Sequence, residues 1–142
     1  FAGSRVVLND FLRIDELAGL HRAVLRERLT ALGDAAAAVL RPALDRALAS
    51  ADHVVVATHV PPFRDACWHQ GAVSADDWLP FFACGAVGDV LGNAAANHPH
   101  VQFTVLCGHT HGAGEVRITD NLLVLTGGAE YGEPKIQGVF VV

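Results

Sequence analysis

The sequence has few basic residues and no basic run. Ten Lys and Arg stand against fifteen Asp and Glu, which gives a formal net charge of −5 over 142 residues. Nucleic-acid-binding surfaces depend on clustered cations, so this composition argues against a polyanion partner. No apolar stretch reaches the roughly 18 residues of a membrane-spanning helix, and residues 1–5 lack the layout of a signal peptide. We therefore expect neither a nucleic-acid patch nor a membrane partner.

Cysteine and methionine are also scarce. The three cysteines, Cys67, Cys84 and Cys107, are an odd number without regular spacing. Such a set does not form a disulfide framework, so we expect a reducing compartment and a cytoplasmic location. Methionine is absent and the chain opens on Phe1, from which we expect the sequence to start partway through a longer protein.

The chain is rich in apolar side chains for its size. Hydrophobic residues make up 51% and charged residues 18%, whereas about a quarter of the residues in an average soluble domain are charged. No internal repeat, linker or boundary divides residues 1–142, so we expect one domain. This excess of apolar side chains requires a second surface that buries it away from water. Helices on both faces of a sheet would supply it, or a surface outside this sequence, such as another subunit or a missing half-domain.

Two helical regions are predicted from apolar residues spaced three and four positions apart. The first covers residues 15–50, with an interruption at Gly33 and a kink or new first turn at Pro42. The second follows an N-cap at Ser74 and fades near residue 97.

Strands are predicted where short β-branched runs are bounded by turn residues. They cover residues 53–58, 101–107, 114–118, 122–126 and 136–142, while residues 63–73 are expected to form a loop and residues 4–10 a short strand or an extended segment. A helix separates the first two strands, which makes a right-handed crossover that brings both carboxyl ends to one edge of an α/β sheet.

Histidines follow these two strands directly. His59 stands in Thr-His-Val-Pro-Pro at residues 58–62, and His109 and His111 stand in Gly-His-Thr-His at residues 108–111. Neutral imidazole is a good ligand for zinc, iron, nickel and copper. An isolated His-x-His pair is a weak signal that core packing also explains, but the preceding strands and the flanking glycines favour a metal site.

The same two stretches resemble blocks of the calcineurin-like metallophosphoesterases. Residues 57–63 look like that family's penultimate ligand block, and residues 107–111 look like its final Gly-His-x-His block. The resemblance implies hydrolysis of phosphate esters at a dinuclear centre of divalent ions (Mn, Fe, Zn or Ni). By this resemblance His59 and His109 bind one metal and His111 binds the other.

The resemblance covers only the C-terminal half of the family's domain. It implies a mixed β-sheet with flanking helices, which is half of an αββα sandwich, and an apolar sheet face that meets a missing N-terminal half or a second copy. The blocks Asp-x-His, Gly-Asp-x-x-Asp and Gly-Asn-His-Asp/Glu are absent, and Asn9-Asp10 is not such a block. The bridging carboxylate and the histidine thought to assist catalysis are therefore missing, and we expect little or no phosphatase activity from this chain alone.

Other residues are weaker candidates. Arg64, His69, Glu130 and Tyr131 could bind the substrate, and His69 could also serve in catalysis or as an extra ligand. Each has a plainer explanation, since loop histidines often pack and loop arginines are usually solvated. Two other functions stay open: a non-catalytic metal-binding or interaction scaffold of the same fold, and a single-zinc hydrolase built on the three strand-end histidines.

Overall fold

The computed structural model describes Phe1 and residues 3–139. At the centre of this described part is an open, mixed four-stranded sheet, formed by β1 (His53–Ala57), β4 (Gln102–Cys107), β5 (Gly114–Thr119) and β6 (Leu122–Thr126). The order of the strands in the sheet is β1-β4-β6-β5. Strand β4 pairs parallel to β1 and to β6, and β5 pairs antiparallel to β6. The predicted α/β class, the parallel pair and the hairpin are confirmed.

Helices cover one face of this sheet. Alternate strand residues point to that face and are buried, as the two-residue period of a strand requires. They pack with residues of α2 (Arg22–Leu48) and α4 (Gly85–Asn97) in one core, whose largest fully buried members are Phe103, Leu91 and Leu122. None of the described helices is both long and apolar enough to cross a membrane.

The first helical region begins later than predicted and is not interrupted. Helix α2 starts at Arg22 instead of residue 15 and continues through Gly33 and Pro42. The preceding chain turns at Gly19, which has a φ of +71°, and Leu17 is buried in a second apolar cluster. A Cβ on Gly33 would lie 3.3 Å from the sulfur of Cys84, so this glycine lets the helix approach the residue before α4.

The second helical region is split into α3 (Leu79–Phe82) and α4. At the break, the backbone N–H of Cys84 donates to the carbonyl of Pro61 at 2.8 Å. A Cβ on Gly88 would lie only 2.3 Å from the carbonyl oxygen of Pro62, so α4 packs directly on the turn after β1. The predicted N-cap role of Ser74 is wrong, because its hydroxyl donates to the carbonyl of Cys67 at 2.8 Å.

Residues 63–73 are more ordered than the predicted loop. They contain a 3₁₀ turn (Arg64–Ala66) and a two-stranded ribbon of β2 (Trp68–His69) and β3 (Ala72–Val73). Gln70 and Gly71 both have positive φ, as a tight two-residue hairpin turn requires.

The described ends of the chain form no strand. Residues 4–8 are not part of a strand, and a short helix, α1 (Asp10–Arg13), follows them. In the predicted last strand, residues 136–139 form no strand, and residues 140–142 lie outside the described part of the chain.

Candidate metal centre

The parallel pair β1 and β4 brings two of the three predicted ligands together. Ala57 is in register with Leu106, so the strands end side by side. The N–H of Gly108 then donates to the carbonyl of His59 at 3.0 Å. As a result, Nδ1 of His109 lies 3.2 Å from Nε2 of His59.

The ring of His109 is held in one orientation and one tautomer. Its Nε2 lies 3.2 Å from the carbonyl oxygen of Phe81, at the end of α3. Burial lowers the pKa of His109, the Phe81 carbonyl opposes that shift, and the nearby His59 adds to it. Because a carbonyl can only accept, the neutral ring carries its proton on Nε2 and presents the lone pair of Nδ1 to His59.

The separation of the two nitrogens suits a shared metal ion. Two imidazole nitrogens at about 2.0–2.1 Å from a tetrahedral zinc lie about 3.3–3.4 Å apart. The distance of 3.2 Å between His59 and His109 is close to that value. The Phe81 carbonyl fulfils a further requirement, since ligating histidines usually donate their other N–H to such a group. The pair fits a metal chemically, although a hydrogen bond between two rings has a similar length.

His111 does not join this pair. Its ring packs edge-on against Tyr131, with 4.8 Å between the ring centroids. Within residues 1 and 3–139, no three side chains of His, Cys, Asp or Glu converge in a way that could hold a metal ion. The structure therefore brings two histidines together, with His111 on the same loop but apart from them.

The backbone of the His-Thr-His loop (residues 108–112) is strained and tied down. His109 and His111 have φ values of +69° and +62°, in the left-handed region that side chains disfavour. Such residues cost about 1–3 kcal/mol each and persist only where their surroundings fix them. Besides the Gly108 bond, three contacts hold the loop: Gly112 N–H to the Trp68 carbonyl at 3.1 Å, Ala129 N–H to the His111 carbonyl at 3.2 Å, and His69 Nδ1 to the Thr110 carbonyl at 2.9 Å.

Two glycines allow this close packing. A Cβ on Gly112 would lie 2.5 Å from the carbonyl oxygen of Trp68, and one on Gly114 would lie 2.2 Å from the Trp68 ring. Thr110 is 2% exposed, and in the part of the chain that the structure describes neither its hydroxyl nor the indole N–H of Trp68 has a hydrogen-bond partner. The tip of the loop is thus packed against the ribbon that carries Trp68.

The weaker candidates lie at exposed positions. Arg64 pairs with Asp76, and both side chains are mostly exposed. Glu130 lies 3.9 Å from Lys135, and Tyr131 is 85% exposed apart from its contact with His111. None of these contacts assigns a substrate role to Arg64, Glu130 or Tyr131.

Asp10 is a residue that sequence reasoning set aside. Helix α1 places it close enough to His109 for its negative charge to raise the pKa of that ring, against the larger effect of burial. The aromatic contact of Phe11 with Phe81, at 5.2 Å between centroids, fixes α1 in this position. No local pattern around Asp10 predicts that it lies near His109, because about a hundred residues of sequence separate the two.

Comparison of the chain with protein-family models, curated proteins and solved structures gives no match. The interpretation of the site therefore depends on its own residues.

Proposed function

We propose that this chain is the C-terminal part of a metal-dependent phosphoesterase. His59 and His109 would hold one divalent ion, and His111 would contribute to a second. The observation that carries the proposal is the 3.2 Å separation of Nε2 of His59 and Nδ1 of His109, with the other N–H of His109 directed at the Phe81 carbonyl.

The shape of the fold supports the proposal. Helices cover one face of the sheet, whereas Val55 is 38% exposed and Leu106, Leu123 and Leu125 are half-buried on the other face. Leu106 and Leu125 are paired neighbours, and Leu123 is the next residue on that face of β6, so these three leucines form an apolar strip. This strip is what half of an αββα sandwich would leave for its missing half, or for a second copy of the chain.

The residues of this chain would position the metal and not complete the reaction. A divalent ion bound here would polarise a phosphoryl oxygen and lower the pKa of a bound water. The Phe81 carbonyl keeps Nδ1 of His109 unprotonated, and Pro61 and Pro62 fix the turn that carries His59. Two-metal hydrolysis also needs bridging oxygen ligands, and the recognised carboxylate blocks are absent from the sequence.

A non-catalytic metal-binding scaffold is the second candidate. The two-histidine pair without a converging third ligand, within the described residues, favours it over a single-zinc hydrolase. Coding sequence upstream of Phe1 that carries the three missing blocks would support the enzyme, and a sequence without them would support the scaffold.

Zinc titration of the purified chain tests the proposed site. We expect one Zn²⁺ to bind, and His59→Ala and His109→Ala to weaken it by more than the roughly 10- to 100-fold that loss of a group hydrogen-bonded to a ligand costs. His53→Ala is the matched control, because His53 lies at the other end of the same strand, where its ring bonds Thr104 at 2.9 Å. Equal affinity in all variants would overturn the site.

A further inference from the structure

We propose that His69 is a positioning residue that holds the His-Thr-His loop in its metal-binding shape. This inference rests on the proposed function above. The bond that carries it joins Nδ1 of the His69 ring to the carbonyl oxygen of Thr110 at 2.9 Å. Thr110 is the residue between His109 and His111, so its carbonyl lies in the middle of the strained segment.

The bond fixes the tautomer of the neutral His69 ring. A carbonyl oxygen only accepts, so Nδ1 must donate and the neutral ring carries its lone pair on Nε2. The Nδ1–H group of His69 is therefore used in the hydrogen bond to the loop. The remaining nitrogen belongs to an exposed side chain and takes no part in the contact that orders the loop.

His69 acts together with its neighbour in the ribbon. The carbonyl of Trp68 accepts from the N–H of Gly112, so two consecutive residues of β2 hold the loop on either side of His111. The turn at Gln70 and Gly71 pairs β2 with β3, and this pairing fixes the position of the two residues that hold the loop. The bonds of Gly108, Gly112 and Ala129 join backbone groups, whereas His69 brings a side chain from outside the loop to one of its carbonyls.

His109 and His111 are the two left-handed residues of the loop. Their backbone conformations are unfavourable for residues with a Cβ, and the loop keeps them only while its peptide groups are held. Losing the bond to the Thr110 carbonyl frees the peptide group that joins Thr110 to His111. The imidazole of His109 then loses its alignment with His59, although neither ring has been changed.

Three substitutions distinguish the role of Nδ1 of His69 from that of Nε2. In His69→Asn the side-chain amide N–H₂ lies near the position of Nδ1 and keeps a donor for Thr110. In His69→Gln the amide reaches toward the position of Nε2, and in His69→Ala both groups are lost. A positioning role predicts that Asn restores what Ala removes, whereas a role for Nε2 as a ligand or base predicts that it does not.

The first measurement is Zn²⁺ affinity, by titration with the metal alone. We expect His69→Ala and His69→Gln to bind about 10- to 100-fold more weakly than the natural chain, the usual loss when a group that orients a ligand is removed. We expect His69→Asn to stay within about threefold, because it keeps the donor. Weak binding by all three variants would overturn the positioning role, and so would unchanged binding by His69→Ala.

The second measurement needs no metal and separates this inference from the proposed function. Amide hydrogen exchange of Gly112 and Ala129 reports the loop directly, since both N–H groups bond across it. We expect faster exchange in His69→Ala and natural protection in His69→Asn, with amides of β6 unchanged in both. If the natural chain binds no zinc, the proposed function fails and this exchange pattern still decides the role of His69. Equal protection in all variants would refute it.

Discussion

Nδ1 of His109 lies 3.2 Å from Nε2 of His59, although fifty positions separate the two residues in the sequence. Two adjacent parallel strands end at the same level and set this distance. The rings also contact edge to face, with 5.1 Å between their centroids. The burial of His109 in this arrangement makes the stability of the fold depend on the protonation of its ring.

Stability should fall as the pH drops below the ordinary pKa of histidine. Burial lowers the pKa of His109 below its usual 6.5, so the unfolded chain binds this proton more readily than the folded chain. The free energy of unfolding should therefore be level above about pH 6.5 and decrease as the pH falls toward the lowered pKa. Urea unfolding of the metal-free chain across this range measures the slope. In His109→Gln, which keeps a donor for Phe81, the slope should be smaller, and an identical slope would contradict the assignment.

Gly112→Ala should destabilise the fold, and Gly108→Ala should not do so by the same mechanism. The new Cβ at Gly112 would meet the backbone of Trp68 and His69 at 2.5–2.7 Å, whereas a Cβ at Gly108 has nothing within 4 Å. Overpacking of this kind costs about 1–3 kcal/mol. Denaturant unfolding of both variants gives the difference. Equal stabilities would show that the loop does not pack on the ribbon.

Thiol reactivity should single out Cys84. Burial, with smaller contributions from Cys107 and Asp65, raises the pKa of Cys67 to about 12, and burial also raises the pKa of Cys107. Cys84 is only half-buried. Because the thiolate is the reactive form, a disulfide reagent should modify one thiol quickly in the native chain and all three after unfolding. Cys84→Ser should remove the fast phase, and a fast phase that persists would contradict this reading of the core.

The chain should self-associate through the open face of its sheet. Val55 lies on that face, so Val55→Lys should shift sedimentation toward the monomer. Val39→Lys is a suitable control, because Val39 is 75% exposed on α2, in the layer on the opposite side of the sheet. A natural chain that stays monomeric at high concentration would contradict the prediction.

The isolated chain should show little or no phosphatase activity, even when metal binds. The pair of His59 and His109 supplies two nitrogen ligands and no bridging carboxylate, while a two-metal centre needs oxygen ligands between ions about 3.5–4 Å apart. Turnover of an aryl phosphate with added Mn²⁺ or Zn²⁺ measures this. Robust turnover that is lost in His109→Ala would show that the chain is a complete enzyme.

The sequence predicted best those features that follow from a short stretch of residues and a general rule of strand connection. The short β-branched run in residues 101–107 predicts a strand, and its pairing with β1 follows from the crossover rule, so the meeting of His59 and His109 could be predicted. The three-ligand set could not be judged, because the position of His111 depends on its left-handed backbone and on Tyr131.

The errors in the prediction have tertiary causes. The break before α4 depends on a bond from Cys84 to Pro61, twenty-three positions away, which overrides the continuous helical pattern. Helix α2 starts later than predicted because Leu17 is buried in a cluster with Phe81. The link from His69 to Thr110 joins residues 41 positions apart, and no spacing rule contains it.

Among the described residues, strand β1 forms one border of the sheet, since the order is β1-β4-β6-β5. An edge strand leaves a row of backbone N–H and C=O groups without a neighbouring strand. The histidine pair therefore lies at the junction of the outermost strand and the next one. Extension of the sheet by one strand at this border would move the pair from the margin of the molecule toward its middle, without changing a single residue around it.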